Sequence, residues 1–391
     1  MHSTHNVAGL SPAIAADDAI GAVSERPIAA SIRPWLARLT MYSSIFLVWI
    51  FAIFCFTAGR GDPQWLAHWD RWDAGSYRQI WVEGYRPDLR TLAFPPGYPY
   101  LEGGIAKLFS TSFLSTAIAL NLIALFSAAV LISEWLSRKF SVSPYVLFAF
   151  VLSAPASYFA FTSYSDVVFM LLLWILLCLT LAPRQPSRTR TLIVQASLLF
   201  LLPWVRLSGY ALASWLFARR LAALAVIGSL ALWLGFNWKI AGSPFYFLRA
   251  QQIFAMPPGN FFQGLATSLQ TLFSSDLANG YAIPWLQFAF LPLFYLIALA
   301  AVAIWLGKRG EGLLAITIIS ILLISHNQAD WRSVVRYDLP IAPVLCLPLL
   351  ANLKSRATSH WFQASFYALL TAQFALQFIF ARQFHSGAWG F

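Results

Sequence analysis

From residue 35 onward the chain alternates long apolar runs with short charged or turn-rich segments. Eleven runs are readable, near 35–58, 113–136, 144–162, 166–182, 191–206, 208–219, 221–240, 284–306, 312–325, 338–352 and 360–381. A helix crosses the hydrocarbon core of a bilayer with about 20 apolar residues. The pattern therefore predicts an all-α polytopic membrane protein with about 11 transmembrane spans. Several runs are short, 208–219 above all. Such runs suit broken or re-entrant segments, which a membrane protein tolerates where protein or a cavity buries the backbone. Residues 1–32 form a Pro/Ala/Ser tail without an apolar core and are expected to be disordered and cytoplasmic. Residues 33–391 are expected to form a single membrane domain. The first run is too long for a cleavable signal segment.

Composition agrees with this picture. Of 391 residues, 59% are hydrophobic and 10% are charged, where a soluble domain carries roughly 25% charged residues. A soluble globule and a disordered chain are both excluded. So is a disulfide scaffold, because Cys55, Cys178 and Cys346 are the only cysteines and all lie inside apolar runs, where cysteine behaves as a small buried hydrophobe. The net charge of +11 does not point to nucleic acid, because the basic residues are scattered over segment ends. Arg26, Arg33 and Arg38 precede the first run. Arg138/Lys139, Arg184/Arg188/Arg190, Arg219/Arg220, Lys308/Arg309 and Lys354/Arg356 then fall at every second turn. The positive-inside rule places all of them in the cytoplasm together with the N-terminus. That side holds 14 Lys and Arg against five acids, and the other side 12 against 10. The long loops, 59–112, 241–283 and 326–337, face outward, and long loops on a rigid scaffold are where function concentrates. No internal repeat is evident, which weakens a transporter built from inverted halves.

The first outward loop carries the densest chemistry. Residues 64–82 are expected to be helical, with Asp70, Asp73 and Tyr77 within an arc of roughly 60°. Trp65, Trp69 and Trp72 would form a neighbouring stripe suited to the headgroup region. Gly84 would end this helix, and Phe94-Pro95-Pro96-Gly97-Tyr98-Pro99 would turn the chain back. The plainest reading is an amphipathic interfacial helix with solvated carboxylates. Asp70 and Asp73 could also hold a divalent cation, although hard cations want more than two oxygen ligands. No cofactor motif is present: there is no Gly-rich phosphate loop and no cytoplasmic domain able to hold a nucleotide sugar.

The run Arg71-Trp72-Asp73-Ala74, Tyr77, Ile80, Gly84-Tyr85 and Ala93-Phe94-x-Pro96-x-Tyr98-Pro99 resembles the PIG-V family of mannosyltransferases and their bacterial relatives. Pro155-Ala156-Ser157-Tyr158-Phe159 with Tyr164-Ser165-Asp166 resembles the family's Pro-Ala-Ser-x-Phe and Tyr-Ser-Glu, with Asp in place of Glu. Arg206 with Gly209, Phe247 with Gln251, Arg336-Tyr337 before Pro340, and Gly387-x-Trp389 extend the likeness over most of the chain. The tryptophan that often follows the glutamine is absent, and Phe254 is nearest.

The resemblance implies a C-type (GT-C) membrane glycosyltransferase. It would move a hexose, mannose by analogy, from a polyprenyl-phosphate carrier to a glycolipid, glycan or protein acceptor, with inversion. The residues allow this chemistry. A carboxylate must take the acceptor proton, and the departing phosphate needs fixed positive charge rather than an acid. Asp73 is the expected base, with Asp70 in reserve. Arg206 and Arg336 are the expected phosphate ligands. Tyr77, Tyr164, Asp166 and Gln251 complete the expected substrate site. Each has a plainer alternative: Arg206 could snorkel or pair with Asp166, Arg336 could pair with Asp338 or Asp330, and the tyrosines could anchor the interface. The competing function is a flippase or transporter for a lipid-linked sugar; an acyltransferase using His326 is a lesser one. The membrane is bacterial or that of the endoplasmic reticulum, and 21 Arg against 5 Lys favours the bacterial plasma membrane.

Overall fold

In a computed structural model of the chain, the structure describes residues 28–58, 63–87, 90–182, 188–252, 260–273, 285–328, 331, 333–352 and 359–387. Most of the expected tail, with Arg26, lies outside these residues. So do Arg184, Phe254, Asp330, Lys354, Arg356 and Trp389. The chain divides into two compact units, 1–41 and 42–391. The described part of the first is the start of a helix, in which Thr40 Oγ1 donates to the Leu36 carbonyl at 3.0 Å. The second holds the rest of that helix and every other helix of the described residues.

No strand occurs among the described residues. The α-helices are α1 (Ile28–Thr57), α2 (Asp73–Glu83), α3 (Gly97–Phe109), α4 (Phe113–Phe140), α5 (Pro144–Ser153), α6 (Asp166–Leu181), α7 (Arg188–Val205) and α8 (Arg220–Ala241). They continue with α9 (Tyr246–Gln252), α10 (Phe261–Leu272), α11 (Leu291–Lys308), α12 (Gly312–Ser325), α13 (Val334–Tyr337), α14 (Leu347–Asn352) and α15 (Ser359–Ser386). Among the described residues, five helices are long and apolar enough to cross a membrane: Pro34–Thr57 of α1, then α4, α8, α11, and Gln363–Ser386 of α15. Six shorter apolar helices fall on the other expected runs. Helix α4 packs against α5 and α6, α7 against α8, and α11 against α12.

Local chemistry sets the ends. Ser112 caps α4 by accepting from the Ser115 amide at 3.1 Å. Asn260 and Gln263 close a capping box on α10, which satisfies two otherwise orphaned amides. Pro144 opens α5, where its missing N–H costs nothing.

Four expected spans are not continuous α-helices; one of them, 284–306, opens with a π-helical turn at Leu286–Phe290 before α11. The run 144–162 is α-helical only to Ser153, and a 3-10 turn follows at Ser157–Phe161. Pro155 lies in the break and has no amide hydrogen to continue the ladder. The carbonyls of Leu152 and Ala154 are taken instead by Gln377 Nε2 of α15, at 2.8 and 3.1 Å. Gln377 is itself fixed by Trp49 Nε1 at 2.9 Å. Buried irregular backbone is thus satisfied from a neighbouring helix, as a low-dielectric interior requires. Leu207–Phe217 is 3-10 throughout. Gly209 lets it fold back on α7, because a Cβ there would stand 2.5 Å from Pro203 N. In the run 338–352, a 3-10 turn at Ala342–Cys346 precedes α14.

Candidate active site

The expected single helix over 64–82 is a short 3-10 turn at Ala67–Trp69, a sharp bend, and then α2. The bend centres on Trp72, at φ 57 and ψ −118. With the Ala74 amide bonded to the Arg71 carbonyl at 3.2 Å, this is a type II′ turn whose first central position glycine normally fills. A bulky side chain there is a strained arrangement, of the kind that clusters at functional sites. The bend overturns the expected helical stripes. Trp69 is buried while Trp72 is exposed, and Asp70 and Asp73 do not share a helix face. The Trp69 carbonyl is fixed by Thr162 Oγ1 at 2.6 Å. Gly84 does end α2, at φ 75.

Asp73 is therefore the first residue of α2, set by the bend rather than by helical phase. Its amide donates to Tyr164 Oη at 3.4 Å, and that hydroxyl donates to the Arg71 carbonyl at 3.4 Å. Tyr164 comes from the irregular segment before α6, and Asp166 is the first residue of that helix. Asn121, in the middle of α4, anchors the segment. Its Nδ2 donates to Tyr98 Oη at 2.9 Å and to the carbonyls of Thr162 and Tyr164 at 2.7 and 3.0 Å.

Two arginines close the cluster. Arg206, where α7 gives way to the 3-10 segment, places Nη1 2.7 Å from Asp166 Oδ1. Arg336, in α13, places Nη1 3.0 Å from Asp73 Oδ2 and Nε 3.9 Å from Asp166 Oδ1. The Tyr337 ring lies against both guanidiniums, 4.6 Å from that of Arg206 and 4.9 Å from that of Arg336. Arg336 Nη2 also donates to Tyr337 Oη at 3.2 Å. The Tyr164 ring covers Arg336 at 4.7 Å. Tyr77 shares a hydrogen bond with Ser165 Oγ at 3.1 Å. Burial, and then the Asp73 charge, push the Tyr77 and Tyr164 phenols well above their ordinary range, so both remain neutral donors.

The structure thus brings together Asp73, Asp166, Arg206, Arg336, Tyr77 and Tyr164, drawn from four expected outward-facing turns. Asp166 does pair with Arg206. Arg336 pairs with Asp73 across the fold rather than locally with Asp338, whose carboxylate accepts from Ser325 Oγ at 2.7 Å. Asp70 stands apart, its Oδ2 2.5 Å from Arg78 Nη1. Gln251 is exposed on α9 and makes no hydrogen bond or ion pair to the cluster among the described residues. His326 is buried at the end of α12, with Nδ1 3.1 Å from the Leu322 carbonyl. Asp70 and Asp73 are engaged by different arginines, and no three His, Cys, Asp or Glu gather among the described residues.

Sequence reasoning missed Asn121, and it met Arg71 and Tyr337 only within the matched motifs, without a place in the site. For Asn121 the signal was present: an amide in the middle of an apolar run needs a polar partner. The cluster as it stands offers one partly exposed carboxylate beside one buried guanidinium, that of Arg336, and one partly buried, that of Arg206. That set can accept a proton and hold an anion within one site. No protein-family model, curated protein or solved structure matches this chain.

Proposed function

We propose that this protein is an integral-membrane glycosyltransferase that moves a hexose from a polyprenyl-phosphate carrier to a hydroxyl acceptor outside the cytoplasm. The carrying observation is the meeting of Asp73 with Arg336 at 3.0 Å and of Asp166 with Arg206 at 2.7 Å in one cluster. The resemblance to the PIG-V family and the GT-C type belongs to this reading. So do the eleven spans, the cytoplasmic N-terminus, the bacterial plasma membrane and mannose as the sugar.

In the reaction, the acceptor oxygen attacks the anomeric carbon opposite the phosphate, which inverts that centre. The new bond is carbon to acceptor oxygen, and the bond broken is anomeric carbon to phosphate oxygen. Asp73 takes the acceptor proton. The electron pair of the broken bond leaves on polyprenyl phosphate, whose added charge Arg206 and Arg336 stabilise. Their guanidiniums can engage phosphate oxygens in a bidentate fork. Asp166 and Tyr337 hold the two arginines in place.

The test is transfer from a radiolabelled polyprenyl-phosphate hexose in membranes containing the protein, followed by NMR of the new linkage. Transfer with inversion is expected. Movement of the donor lipid across the bilayer without transfer would replace this reading with the flippase.

A further inference from the structure

Resting on the donor reading above, we propose that the donor phosphate and Asp73 compete for the Arg336 guanidinium, so that loading the donor frees the Asp73 carboxylate to act as base.

The geometry of the Asp73–Arg336 pair carries this. Nη1 of Arg336 is 3.0 Å from Asp73 Oδ2, yet among the described residues Nη1 and Nε have no hydrogen-bond partner of good geometry. The guanidinium is buried, at 4% exposed. Buried donors left unbonded are costly, so the pair without ligand is a charge contact with unused hydrogen-bonding capacity. Phosphate oxygens could fill that capacity. The two carboxylates of the cluster also differ in freedom. The Asp166 side chain is 1% exposed and that of Asp73 is 17% exposed. Asp166 is enclosed between the arginines, whereas Asp73 is at the open edge and can turn away. While it faces Arg336, its Oδ2 is not presented to an acceptor hydroxyl.

Charge balance supports the exchange. Two arginines and two aspartates are neutral together. An entering phosphodiester adds one negative charge, which favours moving Asp73 off Arg336. During transfer Asp73 gains a proton and the leaving phosphate gains one negative charge, so the total around the arginines is unchanged. Arg336 exchanges a carboxylate for a phosphate, and Arg206 keeps Asp166.

The experiment is a binding titration of polyprenyl phosphate into the full-length protein in lipid nanodiscs, with inorganic phosphate in parallel. Asp73→Asn should bind polyprenyl phosphate more tightly than wild type, by about 10-fold, within the range that coupled ligands show. Arg336→Gln should lose binding, and adding Asp73→Asn to it should restore nothing. Arg336→Lys keeps the charge and covers the case in which Arg336→Gln fails to fold; it should bind weakly and gain little from Asp73→Asn. Unchanged or weaker binding by folded Asp73→Asn would make the pair a structural bridge and overturn the competition, while leaving the donor reading intact. A wild-type protein that does not bind polyprenyl phosphate, or binds inorganic phosphate equally well, would overturn the donor reading and the competition with it.

Discussion

The Arg71 guanidinium donates to the His385 carbonyl at 3.1 Å, tying the bend before Asp73 to the end of the last long helix. Arg71 Nε also donates to the His68 carbonyl at 2.8 Å, which closes the bend on itself. Gly387 makes the approach possible. At φ 90 it adopts a conformation that other residues avoid, and a Cβ there would stand 2.4 Å from Arg71 Nη1. The strained Trp72 turn is therefore held from both sides, by Tyr164 and by α15.

Arg71 is accordingly a positioning residue for Asp73. Arg71→Met should lower turnover by about 100-fold, the scale of a misplacement of about 1 Å. Donor affinity should not fall, because Arg206 and Arg336 are untouched and a displaced Asp73 competes less for Arg336. Gly387→Ala should move turnover in the same direction. Steady-state kinetics at equal folded protein separate the two effects; a loss confined to donor KM would contradict the positioning role.

The helical class and the positions of the runs were legible because membrane burial writes itself as long apolar stretches. The breaks within those runs were not. Pro155 marks one, but nothing local to Leu152 or Ala154 points to Gln377, which satisfies their carbonyls from the last helix. The site was legible as residue types at matched spacings, and most of those residues converge. The pairing was harder to read. Arg336 could reach Asp338 along its own chain, and its pairing with Asp73, distant in sequence, is a tertiary contact that no local pattern reveals. The 64–82 helix failed because a periodicity argument cannot foresee a tryptophan at positive φ, which only tertiary contacts can hold.

Orientation gives the next prediction. Val82, on α2, is 73% exposed. Cysteine placed there, in a protein with Cys55, Cys178 and Cys346 replaced, should react with a membrane-impermeant thiol reagent applied to intact cells. Labelling that needs permeabilised cells would reverse the orientation drawn from the basic residues, and a lipid-linked donor on the outer face would go with it.

Glu102 predicts a pH dependence. It is fully buried in α3 and accepts from Ser163 Oγ at 2.7 Å, while its second oxygen has no hydrogen-bond partner among the described residues. Burial raises its carboxyl from 4.5 to about 9, against the opposing Ser163 hydrogen bond. The folded state therefore keeps a proton that the unfolded chain releases above about 4.5. Stability from this residue is full below that pH and declines as pH rises towards 9. Glu102→Gln keeps the neutral shape and removes the decline. Its melting temperature should exceed wild type at pH 8, with the gap closing as pH falls to 5. A gap of the same size at both values would show that Glu102 is ionised in the fold.

The two loop aspartates give the sharpest test of the mechanism, because the structure separates them. Asp73 touches Arg336 at the edge of the cluster, and Asp70 is held by the exposed Arg78. Asp73→Asn keeps the shape and removes the proton acceptor. Transfer should fall by about 10² to 10⁴, the usual contribution of a positioned base. Asp70→Asn removes only a partly exposed ion pair, and such pairs contribute about 0 to 1 kcal/mol, so its transfer should stay within a few-fold of wild type. Asp73→Glu should not rescue the base, because the longer arm carries the carboxylate past the position that the Trp72 bend sets. The measurement is single-turnover transfer at saturating donor, normalised to folded protein. Near-normal transfer by folded Asp73→Asn would remove Asp73 as the base. Loss of transfer in Asp70→Asn instead would move the base to the Arg78-paired carboxylate and leave the Asp73–Arg336 pair a structural one.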